Sequence, residues 1–153
     1  MSTRDDVFRR FDVADGQRPR YVVWELTLAC DQPCTHCGSR AGDARPNELT
    51  RAEALDVARQ LAALGCFECA LIGGEAYLHP AFLDVVRELK ALGVRPTMTT
   101  GGRSITPALA KQMVDAGLYS VSVSLDGLEA THDLMRAGRG SFAAATSALR
   151  SLA

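Results

Sequence analysis

The chain has 153 residues, 47% of them apolar and 23% charged, which suits one globular domain with a real core. Acidic and basic side chains nearly cancel to a net charge of −1, so no field is available to hold a nucleic-acid backbone or an anionic membrane. No apolar run approaches membrane-spanning length and the charged N-terminus lacks the apolar stretch of a secretion signal, so a cytoplasmic protein with reduced thiols is expected. Its five cysteines, an odd number, also argue against a closed disulfide framework.

A polar leader over residues 1–20 precedes alternating strand-like and helix-like segments that fill residues 21–153. Strands are expected at Tyr21–Leu28, Glu68–Ile72, Val94–Thr99 and Tyr119–Leu125. Thr50 and Glu53 form a capping-box pattern ahead of Ala54, Val57, Ala58, Leu61 and Leu64 on one helical face, and Gly65 ends that helix. Pro80 opens a second helix carrying Phe82, Val85, Val86, Leu89 and Leu92, with Gly93 as its stop. Thr106-Pro107 starts a third that ends at Gly117, and Ser141 is expected to cap a fourth running to Ala153. This alternation predicts right-handed βαβ units and an α/β fold with a parallel sheet. Four βα units cannot close a parallel barrel, so the reading is an incomplete TIM-like barrel, the N-terminal part of a longer one truncated at its C-terminus.

The strands also separate two faces. In Tyr119-Ser120-Val121-Ser122-Val123-Ser124-Leu125-Asp126, Tyr119, Val121, Val123 and Leu125 should face the helices, and Ser120, Ser122, Ser124 and Asp126 the concave side. Val22, Trp24, Leu26 and Leu28 likewise oppose Val23, Glu25 and Thr27, and Thr97 and Thr99 continue the pattern. A purely structural lumen is filled by branched apolar side chains, so a polar one implies a polar guest.

Directly after the first strand stands Cys30-Asp31-Gln32-Pro33-Cys34-Thr35-His36-Cys37. Three soft thiolates in one short loop can hold three irons of a 4Fe–4S cubane and leave the fourth open to a small molecule. A structural zinc site is the competing reading, but it usually takes four ligands in two pairs. His36 as the fourth would have to fold back beside Cys37 onto the same metal. A second pair, Cys66 and Cys69, straddles the start of a buried strand and reads as small core residues.

The spacing C-x3-C-x2-C resembles the signature of the radical S-adenosylmethionine (radical SAM) superfamily, and the resemblance continues along the chain. Gly73-Gly74-Glu75 resembles its GGE motif, which implies a contact with the amino group of the SAM methionine. Glycines allow close backbone approach to a ligand, and a carboxylate suits an ammonium. Ala76 stands where members usually have proline, and the nearby His79 reads as a capping or packing residue. Thr99-Thr100-Gly101-Gly102 resembles the family's T-N-G turn, with Gly101 in place of the asparagine. Ser122, Ser124 and Asp126 match positions of polar contacts to the SAM ribose and methionine, Ser124 being preferred, while Asp126 is equally suited to capping its own turn. His132-Asp133-Leu134-Met135-Arg136 and Gly140-Ser141-Phe142 resemble a stretch of SPASM-type peptide-modifying members, which implies that Arg136 meets the SAM carboxylate. His36 sits where the family often has an aromatic residue whose backbone reads adenine.

The resemblance thus implies about four units of a six-unit partial barrel, with a 4Fe–4S cluster on Cys30, Cys34 and Cys37 and SAM as second cofactor. It implies an enzyme in which reductive cleavage of SAM yields a 5′-deoxyadenosyl radical that abstracts hydrogen from a substrate, a peptide being the candidate. A one-electron donor of flavodoxin or ferredoxin type follows as partner. No acid–base side chain is required for the first step, so no catalytic residue is assigned. Two alternatives stay open. A non-catalytic iron–sulfur electron-transfer or cluster module explains the cysteines but not Gly73-Gly74-Glu75 or the serine-lined strand. A cyclase of the molybdenum-cofactor type acting on a nucleotide would share the cofactors.

Overall fold

In the computed structural model, which describes residues 18–153, the four expected strands form one parallel sheet. The leader expected over residues 1–20 lies almost wholly outside the described residues. β1 (Tyr21–Thr27), β2 (Glu68–Gly73), β3 (Arg95–Thr100) and β4 (Ser120–Val123) lie side by side in chain order. Tyr21 stands opposite Glu68, Glu68 opposite Arg95, and Thr97 opposite Ser120. The β1–β2 register slips between Glu25 and Thr27, where the chain begins to leave the sheet for the cysteine loop.

Helices α1 (Arg51–Ala63), α2 (Phe82–Ala91) and α3 (Pro107–Ala116) make the crossovers. The capping box of α1 forms in full, with the Thr50 hydroxyl accepting the Glu53 N–H and the Glu53 carboxylate accepting the Thr50 N–H. Thr106 caps α3 with Pro107 in its first turn, and Gly117 ends it in the left-handed region at φ 92. Pro80 does not itself begin α2. A single 3-10 turn at Ala76–Leu78 intervenes, and His79 accepts the Ala81 N–H through Nδ1 at 3.1 Å just before the helix. The other ring nitrogen of His79 lies 3.1 Å from the Leu49 carbonyl, so this buried histidine is fully partnered and packs as expected.

Two further helices depart from the sequence reading. Glu129–Met135 forms a short helix, α4, which the apolar pattern did not announce. Ser141 is the first residue of α5 (Ser141–Leu152) rather than its cap; Gly140 holds that place at φ 81. The cap comes from a distance, because the Asp133 carboxylate of α4 accepts the N–H groups of Gly140 and Phe142 at 2.7 and 2.8 Å. Those bonds hold the Asp133 carboxyl below its ordinary range.

One face of the sheet is the core. Leu26, Leu71 and Met98 meet Ala54, Ala58, Val85, Leu89, Ala110 and Met113 from the helices, and all are buried. A fully buried side chain such as Phe82 contributes about 1.5–3 kcal/mol through removal from water. Cys66 and Cys69 belong to this core, and burial pushes the Cys69 thiol up to about 12, so it stays protonated and inert. The opposite face is polar and open, with Ser120, Ser122 and Thr99 exposed. Tyr119 and Leu125, assigned by alternation to the helix side, are instead 57% and 46% exposed. β4 is only four residues long, so both lie beyond its ends, and the Tyr119 ring packs under the Arg95 guanidinium at 4.8 Å. Among the described residues no helix is long and apolar enough to cross a membrane.

Candidate cofactor site at the cysteine loop

The cysteine loop is tied off at its base. Gly42 N–H donates to the Leu28 carbonyl and Cys30 N–H to the Gly42 carbonyl, each at 2.9 Å. Below this clasp, Glu48 organises the end of β1. Its carboxylate accepts the hydroxyl of fully buried Thr27 at 2.8 Å, and the N–H groups of Leu28 and Arg45 at 2.8 and 3.0 Å. Burial alone would raise the Glu48 carboxyl, but these donors outweigh it and hold it below its ordinary range. Thr27, expected on the open face, is thereby covered.

All three loop cysteines are free, half-buried and face one cavity of about 430 Å³. Each sulfur already has an N–H donor. Gln32 N–H points at Cys30 Sγ and Ala41 N–H at Cys37 Sγ, both at 3.4 Å, and the Arg136 guanidinium reaches Cys34 Sγ at 3.8 Å. Such donors spread the charge of metal-bound thiolates. Burial pushes the Cys30 thiol up, so loading a metal there costs a proton. No fourth cysteine lines the cavity, while the space beside the three sulfurs is open. The donor set therefore fits a cubane with one iron left for another ligand better than a four-ligand zinc site.

Gly73-Gly74-Glu75 forms the next wall. Gly74 N–H donates to the Thr27 carbonyl at 2.8 Å and Glu75 N–H to the Ala29 carbonyl at 2.7 Å, so this turn lies along the end of β1. A Cβ on Gly73, which sits at φ 142, would collide with the Thr27 carbonyl, and one on Gly74 with the Ala29 carbonyl. These glycines therefore also make room for β1, a requirement the sequence reading did not foresee, while their backbone lines the cavity. Glu75 is buried, its carboxylate accepting the Thr100 hydroxyl and, at 2.8 Å, the Gly101 N–H. Burial pushes its carboxyl up to about 7 despite these bonds. A Cβ on Gly101 would meet only the far end of the Gln32 side chain, which would have to turn aside.

On the β4 side, Ser124 lines the cavity, whereas Ser122 lies lower on the strand and does not. Asp126 is turned to Arg136, which donates from Nε to Oδ2 at 2.6 Å and from Nη2 to Oδ1 at 3.2 Å. Burial would raise the Asp126 carboxyl, but this guanidinium holds it below its ordinary range. Buried His132 accepts the Asp126 N–H through Nδ1 at 3.2 Å. His36 lines the cavity with Nδ1 3.2 Å from the Met135 carbonyl and Nε2 3.7 Å from Asp126. The side chain of His36 is thus occupied with α4. Of the predicted cofactor residues, His36, Gly73, Gly74, Glu75, Ser124 and Arg136 converge on the cavity with the three cysteines; Ser122 and Asp126 do not reach it.

Sequence reasoning passed over Glu48, Gln32 and Asp31. Asp31 accepts the Tyr77 hydroxyl at 3.1 Å and the Ser104 hydroxyl on Oδ2, while buried Oδ1 has no partner among the described residues. Its carboxylate, the Cys30 thiol and Glu75 lie within 4.8 Å of one another. The available signal was Asp31 and Gln32 falling inside the cysteine loop; Glu48 stood in an unremarkable polar stretch.

Comparison with known proteins agrees with this geometry. The Radical SAM superfamily matches residues 24–153. An AdoMet-dependent heme synthase of Methanosarcina barkeri is 34% identical over 132 residues, which are 85% of this chain and 38% of that protein. The mycofactocin maturase MftC of Mycobacterium ulcerans is 36% identical over 136 residues, 88% of this chain and 37% of that protein. The chain thus spans less than two-fifths of the length of these relatives, which are enzymes. Streptococcus suis SuiB bound to S-adenosylmethionine shares the fold at TM-score 0.69 and 19% identity, over 80% of this chain and 29% of that one. The structure of anSMEcpe with bound AdoMet does so at TM-score 0.68 and 22% identity, over 86% and 40%. The family's cofactors are a 4Fe–4S cluster and SAM, and it is to the radical SAM superfamily that this chain belongs.

Proposed function

We propose that the chain provides the cofactor-binding part of a radical SAM enzyme, contributing about four βα units to a longer partial barrel. The observation that carries this reading is the convergence of three N–H-bonded thiols and the Gly73-Gly74-Glu75 turn on one cavity. Cys30, Cys34 and Cys37 would hold the 4Fe–4S cluster. When bound, cluster and SAM supply one-electron cleavage of SAM and a 5′-deoxyadenosyl radical able to take hydrogen from a substrate.

The chain's own residues bind and orient. Backbone at Gly73 and Gly74 and the Glu75 carboxylate form the wall suited to an ammonium, and Glu75 can accept a proton near neutral pH. Ser124 offers a hydroxyl to a ribose, and the free edge of Arg136 offers an N–H to a carboxylate. His36 brings its backbone to the rim beside Cys37. Asp126 acts here by holding Arg136, and Ser122 has no assigned contact. The cysteine loop is clasped at Gly42, and Glu48 pins the strand end that feeds it.

The substrate we favour is a peptide, supported by the likeness to mycofactocin maturase and to SuiB, which has been crystallised bound to a precursor peptide. The likeness to a heme synthase supports a tetrapyrrole as the second reading. A flavodoxin- or ferredoxin-type donor in the cytoplasm suits a site that needs reduced thiols and single electrons. The test is iron and sulfide content with SAM binding in the anaerobically reconstituted chain and its Cys34→Ala variant. Four irons per chain and SAM binding, both lost in the variant, support the proposal. Full iron content in Cys34→Ala contradicts it.

A further inference from the structure

The three sulfurs are not treated alike. Cys30 and Cys37 take their N–H donors from the backbone of their own loop, at Gln32 and Ala41. Cys34 takes its donor from a charged side chain 102 positions further along, Arg136, through Nη1 at 3.8 Å. That guanidinium is not free to wander. Nε and Nη2 both donate to Asp126, which fixes the plane of the fork and leaves Nη1, on its opposite edge, directed at the sulfur. The side chain is only 12% exposed.

The backbone fixes the approach as well. Thr35, next to Cys34, donates both its N–H and its hydroxyl to the carbonyl of Met135, next to Arg136, each at 3.1 Å. Sulfur and guanidinium are therefore neighbours across two residues that are themselves bonded. Asp126 sits on the far side of the fork, so the ion pair presents its positive end to Cys34.

We propose that Arg136, oriented by Asp126, is a tuning residue that raises the reduction potential of a cluster ligated through Cys34. The inference rests on the proposed ligand set and deepens it. A cationic N–H beside a metal-bound thiolate favours the state carrying one more electron, and partial burial keeps water from screening that effect. It makes the cluster easier to reduce before SAM arrives.

The test is a redox titration, followed by electron paramagnetic resonance without SAM, on the anaerobically reconstituted chain and on Arg136→Gln, Arg136→Lys and Arg139→Gln. Arg139 is exposed and three residues away, so its variant reports the loss of a positive charge alone. Arg136→Gln should weaken reduction about tenfold, which is about 59 mV more negative for one electron. Arg136→Lys, which keeps the charge and loses the fork, should fall between it and the parent, and Arg139→Gln should match the parent. If Arg136→Gln cannot retain a cluster, a drop in Arg136→Lys decides in favour. Parent-like potentials in the Arg136 variants, or an equal shift in Arg139→Gln, overturn the inference while leaving the ligand set intact. A parent chain that assembles no cluster overturns both, and its iron content tells that case apart.

Discussion

The Gly74 α-carbon faces the Ala29 carbonyl so closely that no side chain fits between them. Ala29 is the residue before Cys30, so this glycine joins the sheet to the cysteine loop. Gly74→Val should therefore cost about 1–3 kcal/mol of stability, in the range of overpacking against backbone. Denaturant unfolding measures it, and iron loading should fall with it. A variant as stable as the parent that loses SAM binding alone would leave ligand approach as the reason for this glycine.

Glu48 is the half-buried anchor of the same region. Removing its carboxylate in Glu48→Ala leaves the Thr27 hydroxyl and the Leu28 N–H without an acceptor, at about 1–3 kcal/mol for the buried Thr27 hydroxyl. Its folded carboxyl titrates below its ordinary value, so the stabilisation is complete above the unfolded value of 4.5 and lost as pH falls through the lower folded one. Unfolding of parent and variant should converge in acid. A constant difference down to the acid limit contradicts the assignment.

Glu75 has the opposite sign. Burial raises its carboxyl from 4.5 to about 7, so the folded state binds the proton more tightly than the unfolded chain does. Stability from this group is full below about 4.5 and declines as pH rises to about 7, by roughly 3 kcal/mol in total. Glu75→Gln cannot ionise, so its unfolding free energy should lose this decline. Melts at pH 5 and pH 8 suffice, and parallel profiles for the two proteins would rule out a buried, titrating Glu75.

Cys66 and Cys69 lie in the apolar core. Replacing both with alanine should leave iron content unchanged and lower stability by about 1–3 kcal/mol in all through lost packing. Loss of iron per chain, measured on the reconstituted double variant, would make this pair a metal site.

The elements with strong periodicity were legible. Four parallel strands, the Thr50–Glu53 capping box and the Thr106-Pro107 start appear where local chemistry placed them. α4 was not legible because its stability is not local: Leu128 gives no side-chain cap, and the helix end is held by Thr35 and His36. The same holds at Gly140, capped by Asp133 from the preceding helix. The three cysteines and the Gly-Gly-Glu turn could be read from spacing, but Glu48 gained its role through contacts about twenty residues back in the chain. Arg136 was found by motif and its partner was not, since the Asp126 pairing forms only once α4 folds beside β4.

The most direct measurement is electron paramagnetic resonance on the anaerobically reconstituted, dithionite-reduced chain, with and without SAM. The account predicts a reduced 4Fe–4S signal that changes on adding SAM, as an iron left open by three cysteines requires. A chain that binds zinc and gives no such signal would contradict the account at its foundation.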